Sequence, residues 1–167
     1  NNPTELAEVM AVLEEVQYEF NSGVSRGKQV SLADVIVLAG NVGVERAAEA
    51  FGVEVSIPFS PGRVDAIEGS VDAASWSVLE PRHDGFRNYM ADLGFMSPSQ
   101  ALIDKADMLN LTVSEMTVLL GGLRAMNANA DGSDRGVLTD RPGVLSNDFF
   151  VNLLDMNTAW GPSPDAY

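Results

Sequence analysis

Residues 30–46, VSLADVIVLAGNVGVER, decide how the chain folds. Ser31 is a helix-capping residue type, because its hydroxyl accepts from an amide one turn on, and Asp34 stands three residues later where a reciprocal cap would sit. Leu32, Val35, Ile36, Leu38 and Ala39 follow at spacings of three and four, with Val37 thickening the stripe. That density predicts a helix buried on most of its circumference. Gly40 and Asn41 then interrupt the run, and residues 44–50 resume it as a short amphipathic return before Phe51 and Gly52. The expectation is a core helix, a kink and a short second piece.

The flanking sequence is also helical in pattern. Asn2, Pro3 and Glu5 make a compact helix start, with Pro at the first helical position and an acid in the first turn. Leu6, Val9, Met10, Leu13, Val16 and Phe20 then share one face against Glu8, Glu14, Glu15 and Glu19, until Asn21, Ser22 and Gly23 end the helix. Residues 53–59 alternate like an extended segment, which Pro58 limits to an edge or a coil. Ser60, Pro61, Gly62 and Arg63 carry turn chemistry. Residues 66–76 lack periodicity and are expected as an irregular loop.

Ser97 and Pro98 open a further helix with Ala101, Leu102, Ala106, Met108 and Leu109 as its apolar set, closed by Asn110. Thr112 or Ser114 begins a second strongly apolar run, in which Met116, Leu119, Leu120 and Leu123 share a face. Gly121 and Gly122 there permit a neighbouring backbone to come close. Residues 147–156 read as a short amphipathic helix. The whole is expected as one mainly helical, all-α domain over residues 1–167, with irregular loops.

Composition bounds the chemistry. The chain has 167 residues and no cysteine, which excludes disulfides, thiol catalysis and thiolate metal sites. Its formal charge is −14, from 24 acidic against 10 basic residues, so a nucleic-acid backbone would be repelled. Only Lys28 and Lys105 are lysines, and an acidic, lysine-poor surface is compatible with adaptation to high salt or with an ordinary acidic protein. No apolar run approaches the length of a membrane span, and a cytoplasmic protein is expected.

Several segments together resemble one family. The run VSLADVIVLAGN is similar to the central helix of haem peroxidases, and Gly62, Arg63 and Asp65 look like the Gly-Arg-x-Asp element that follows it there. Residues 78–89, VLEPRHDGFRNY, resemble a segment typical of the C-terminal half of catalase-peroxidases, and residues 147–154 resemble the helix after the proximal loop. The resemblance implies a peroxidase-like helical domain that is incomplete, starting after the distal-type helix and ending before the last helices.

In that family the proximal histidine follows a Val-x-Leu-x-Gly-Gly run, and residues 117–123, TVLLGGL, resemble it at the leucine and both glycines, with Leu123 at the last place. The resemblance therefore puts Leu123 in the position of the iron ligand. It implies a haem-free C-terminal half with no catalytic, cofactor-binding or metal residue of its own. Haem b is assigned instead to the N-terminal half of a parent that disproportionates hydrogen peroxide and oxidises small donors. The implied partners are the N-terminal peroxidase domain and a second copy of the parent, with no nucleic acid and no membrane. Two alternatives stay open: a self-standing haem peroxidase domain with an atypical ligand, and an unrelated helical interaction module.

Two local motifs have plainer readings than their sharp ones. His83 beside Asp84 lacks any nucleophile signature and is read as a loop histidine. Residues 127–134 begin like a calcium loop, but the twelfth position is Leu138 rather than a bidentate glutamate, so a loop that satisfies its own backbone is expected.

Overall fold

The computed structural model describes residues 3–24, 27–67, 69–72, 74–75, 97–129 and 132–161. Among them the chain is helical, without a strand, and it divides into two compact units, residues 1–79 and 80–167. The motif at residues 78–89, His83 included, lies outside the described residues, as does Asp131 of the polar loop.

The first unit pairs helix α1 (Pro3–Gly23) with helix α2 (Leu32–Ala50). Helix α1 ends at Gly23, inside the Asn21–Gly23 stretch expected to close it, and the Asn21 side chain reaches past that end. Its amide accepts from the Val30 N–H at 2.8 Å and donates to the Val30 carbonyl at 3.1 Å, while Gln17 donates to the same carbonyl at 3.0 Å. These bonds carry the chain back to the start of α2. The inner face of α1 is thus Met10, Leu13, Gln17 and Asn21, all half-buried, and no residue of the helix is fully buried.

Helix α2 departs from expectation in two ways. It is one unbroken helix of 19 residues, not two pieces joined at a kink. Glycine at positions 40 and 43 costs helix propensity but removes no hydrogen bond, so good helix formers on both sides carry the ladder through. It is also not buried on most of its circumference: Asp34, Val35, Ala47 and Ala48 are buried, while Ile36, Leu38 and Val42 are exposed. Its end is a Schellman closure. Gly52, at φ +88°, donates to the Glu49 carbonyl and Val53 to that of Ala48. Residues 53–59 then run as coil along α2, with the Ile57 N–H donating to Glu45 at 2.7 Å.

The second unit packs helix α3 (Pro98–Met108) and helix α5 (Asp148–Leu153) on helix α4 (Val113–Ala125). Both longer helices open with reciprocal capping boxes, Ser97 with Gln100 and Thr112 with Glu115, which settles Thr112 over Ser114 as the cap. Both close with a left-handed asparagine, Asn110 at φ 55° and Asn127 at φ 56°. The following residues, Leu111 and Ala128, donate back to Ala106 and Leu123. The buried face of α4 is Met116, Gly121 and Ala125, whereas Leu119 is turned outward.

Gly121 is where α5 meets α4. A Cβ built there would lie 2.4 Å from Phe150 Cζ and 2.9 Å from Phe149 Cδ1. The two phenyl rings stand edge to face, 5.1 Å between centroids. Helix α5 is shorter than the ten residues expected, covering Asp148–Leu153. Residues 154–161 continue as turns and coil, with the Trp160 indole donating to the Leu153 carbonyl at 3.1 Å.

Candidate functional site

Two constellations deserve chemical scrutiny, one in each unit. The first is built from Asp34 and Asp65. Asp34 is only 4% exposed, and it does not close a capping box on α2. The Ser31 hydroxyl accepts from the Asp34 amide at 3.1 Å as expected, but the Asp34 carboxylate turns to the loop 28 residues on. There it accepts from the Gly62 N–H at 2.8 Å, from the Arg63 N–H at 3.3 Å and from Arg63 Nη1 at 2.9 Å. Gly62 sits at φ +119°, a conformation that favours glycine, and this aims its N–H at the carboxylate.

Asp65 completes the exchange in the other direction. Its two oxygens accept from the Leu32 and Ala33 amides at 2.8 Å each, and Gln17 approaches it at 3.5 Å. These amides are orphan donors at the start of a helix, where the dipole favours a negative charge. The helix gives a carboxylate to the loop and the loop gives one to the helix.

Both carboxyls are held below the ordinary aspartate range. For Asp34 the Gly62 amide is the main cause, followed by the Arg63 side chain. For Asp65 it is the amides of Ala33 and Leu32. A general acid or base needs a proton affinity near the working pH, and these two groups move the opposite way. The arrangement is a structural clasp. The Gly-Arg-x-Asp spacing was visible in the sequence, but the partner of Arg63 was not, since nothing local ties position 34 to position 63.

The second constellation is the C-terminal end of α4. Leu123 lies in its last turn, half-buried, with its carbonyl accepting from the Ala128 amide at 2.9 Å. A Cβ on the neighbouring Gly122 would come within 3.3 Å of Leu145 Cδ1, and the Gly143 N–H donates to the Ala125 carbonyl at 3.0 Å. Arg124 reaches along its own loop to the Asn129 side-chain oxygen. Asn129 in turn donates to the carbonyls of Ser133 and Arg135. The polar loop thus uses its asparagine on its own backbone. Among the described residues, no three His, Asp or Glu gather as they would around a metal ion.

A family model described as Peroxidase matches residues 1–162. The chain belongs to the peroxidase family. Its relatives include catalase-peroxidase 2 of Shewanella sp. strain MR-4, 61% identical over 163 residues, which are 98% of this chain and 22% of that protein. Catalase-peroxidases of Bradyrhizobium sp. strain ORS 278 and Granulibacter bethesdensis are 59% and 58% identical, over 97% and 99% of this chain and 22% of each relative. The chain therefore spans about a fifth of the length of these curated relatives.

Membership in the peroxidase family corrects the expectation about cofactor. That expectation gave no cofactor to this chain and put haem b in an N-terminal half of the parent. The peroxidase pattern instead extends over residues 1–162, so the chain itself carries the sequence of the haem-bearing family, and the match does not set it apart as a haem-free half. As to fit, haem iron takes an axial donor such as an imidazole nitrogen. The end of α4 presents the hydrocarbon of Leu123, and His83, the one histidine, lies outside the described residues. The described end of α4 presents no imidazole to such an iron.

Proposed function

We propose that this chain is a structural portion, from the C-terminal part, of a catalase-peroxidase-type enzyme that disproportionates hydrogen peroxide and oxidises small donors. Its work is to carry and brace the remainder of that enzyme, through contacts with the N-terminal part of the same protein and with a second copy of it, in the cytoplasm. Relatives about 60% identical across nearly the whole chain are catalase-peroxidases, which supports the parent activity. No described helix is long and apolar enough to cross a membrane.

The observation that carries the bracing role is the apolar surface of the first unit. Helix α1 exposes Leu6, Val9, Val12, Val16 and Phe20, and α2 exposes Ile36, Leu38 and Val42. An exposed apolar stripe such as that of α1 marks a surface that another body covers, and a catalase-peroxidase of which this chain spans 22% would supply one. The clasp at Asp34 and Asp65 holds the start of α2 to its loop.

The test is to mix the purified chain with the remainder of its parent and follow complex formation and oxygen release from hydrogen peroxide. A stoichiometric complex with raised turnover is expected, and Val9→Glu with Val16→Glu should abolish both. The reading is overturned if no complex forms, or if the chain mixed with hemin alone gives a stable shifted Soret band and turns over peroxide. That last result would favour a self-standing peroxidase domain.

A further inference from the structure

Five methionines lie among the described residues, and their exposures differ sharply. Met156, just beyond α5, is 96% exposed and Met108, the last residue of α3, is 68% exposed. Met116 is 3% exposed. It lines a small apolar cavity of about 190 Å³ with Leu102, Ile103, Val113 and Leu120. Met10 and Met126 are half-buried.

A thioether is a soft nucleophile whose reaction with peroxide depends on access to sulfur. We propose that Met156 and Met108 are modification sites of this chain, converted to the sulfoxide by hydrogen peroxide while Met116 is protected. A sulfur lone pair attacks one peroxide oxygen, an S–O bond forms as the O–O bond breaks, and the departing hydroxide takes the proton of the oxygen now on sulfur, leaving sulfoxide and water. The sulfur is oxidised by two electrons and the peroxide is reduced. Hydrogen peroxide is uncharged, so the −14 charge of the chain does not hold it away. That the oxidant meets this chain in its working setting rests on the proposed function; the chemistry at the two sulfurs does not.

Position also decides what the product does. A sulfoxide is polar, and at Met156 or Met108 its oxygen is met by water. At Met116 the same oxygen would enter a cavity lined mostly by hydrocarbon, whose two hydroxyls are already engaged, Thr117 donating to the Val113 carbonyl at 2.8 Å and Ser99 bonded to the Ser97 hydroxyl at 3.1 Å. Oxidation at the two exposed sites is therefore tolerated by the fold and stays within reach of sulfoxide-reducing enzymes.

Treating the folded chain with hydrogen peroxide, quenching at intervals and mapping peptides by mass spectrometry tests this. Met156 and Met108 should each gain one oxygen about tenfold or more faster than Met116, following their access to solvent, with the thermal midpoint unchanged at the end of that fast phase. The double variant Met108→Leu, Met156→Leu should keep its circular dichroism and lose the fast oxidation at those two peptides. Oxidation of Met116 at a comparable rate, or persistence of both exposed thioethers in reduced form, overturns the proposal. So does a fall in thermal midpoint during the fast phase. None of these readings depends on whether the chain binds the remainder of its parent, so the two proposals fail separately.

Discussion

At the scale of single residues, neighbouring glycines 121 and 122 differ in what they permit. A methyl group at 121 would meet two phenylalanine rings of α5 at 2.4–2.9 Å, and since the rings stand edge to face with each other, moving one disturbs its packing on the other. At 122 the nearest atom is the tip of Leu145, 3.3 Å away and free to rotate. Gly121→Ala should therefore destabilise the chain by about 1–3 kcal/mol, the usual cost of overpacking. Gly122→Ala should change it by less than about 1 kcal/mol, within the range of a helix-propensity gain offset by a small clash. Chemical denaturation of the two variants beside the wild type measures this, and equal midpoints would mean that α5 does not sit on α4 as described.

At the scale of elements, the helix ends were written in the local sequence and the helix middles less so. Ser31, Ser97 and Thr112 each cap by a hydroxyl whose partner lies three residues on, a range over which sequence pattern and geometry coincide. Gly52, Asn110 and Asn127 close their helices because they tolerate positive φ. Gly40 was expected to break α2, since glycine lowers propensity, yet a helix that keeps its hydrogen bonds absorbs that cost. A methyl group at Gly40 or Gly43 meets no atom within 4 Å. Gly40→Ala and Gly43→Ala should each raise stability, by up to about 1 kcal/mol, because alanine loses less backbone entropy on entering a helix. A thermal melt showing loss at either site would mean that these glycines serve a close contact supplied by a partner. The pairing of Asp34 with Arg63 was not legible for a different reason: a contact 29 residues apart leaves no periodic trace. Nor does an apolar stripe say what will cover it, which is why the outward faces of α1 and α2 were read as core.

At the scale of the whole molecule, two electrostatic effects oppose each other as the solution is acidified. With 24 acidic and 10 basic residues the folded chain repels itself at neutral pH, and protonation toward the isoelectric point near 4.2 relieves that. Against this, Asp34, Asp65, Asp72, Glu115, Asp148 and Asp155 are all held below their ordinary values by hydrogen bonds made in the folded state. Once unfolded, these groups return to ordinary carboxyl values of 3.8 for Asp and 4.5 for Glu, so below those values the unfolded chain binds more protons than the folded one. Stability then rises with pH across that window, and is lost as pH falls through the folded values. The thermal midpoint should accordingly rise as pH is lowered from neutral toward about the isoelectric point, then drop steeply at lower pH. Salt should flatten the upper arm by screening repulsion and leave the Asp34 share of the lower arm, because that carboxylate is buried and its short bonds are screened less. Asp34→Asn should lower the midpoint at neutral pH and make the acid limb shallower, since one of the groups that releases protons on folding is gone. If the variant instead titrates in parallel with the wild type, Asp34 carries no linkage and the clasp between α2 and its loop contributes nothing to the acid sensitivity of the chain.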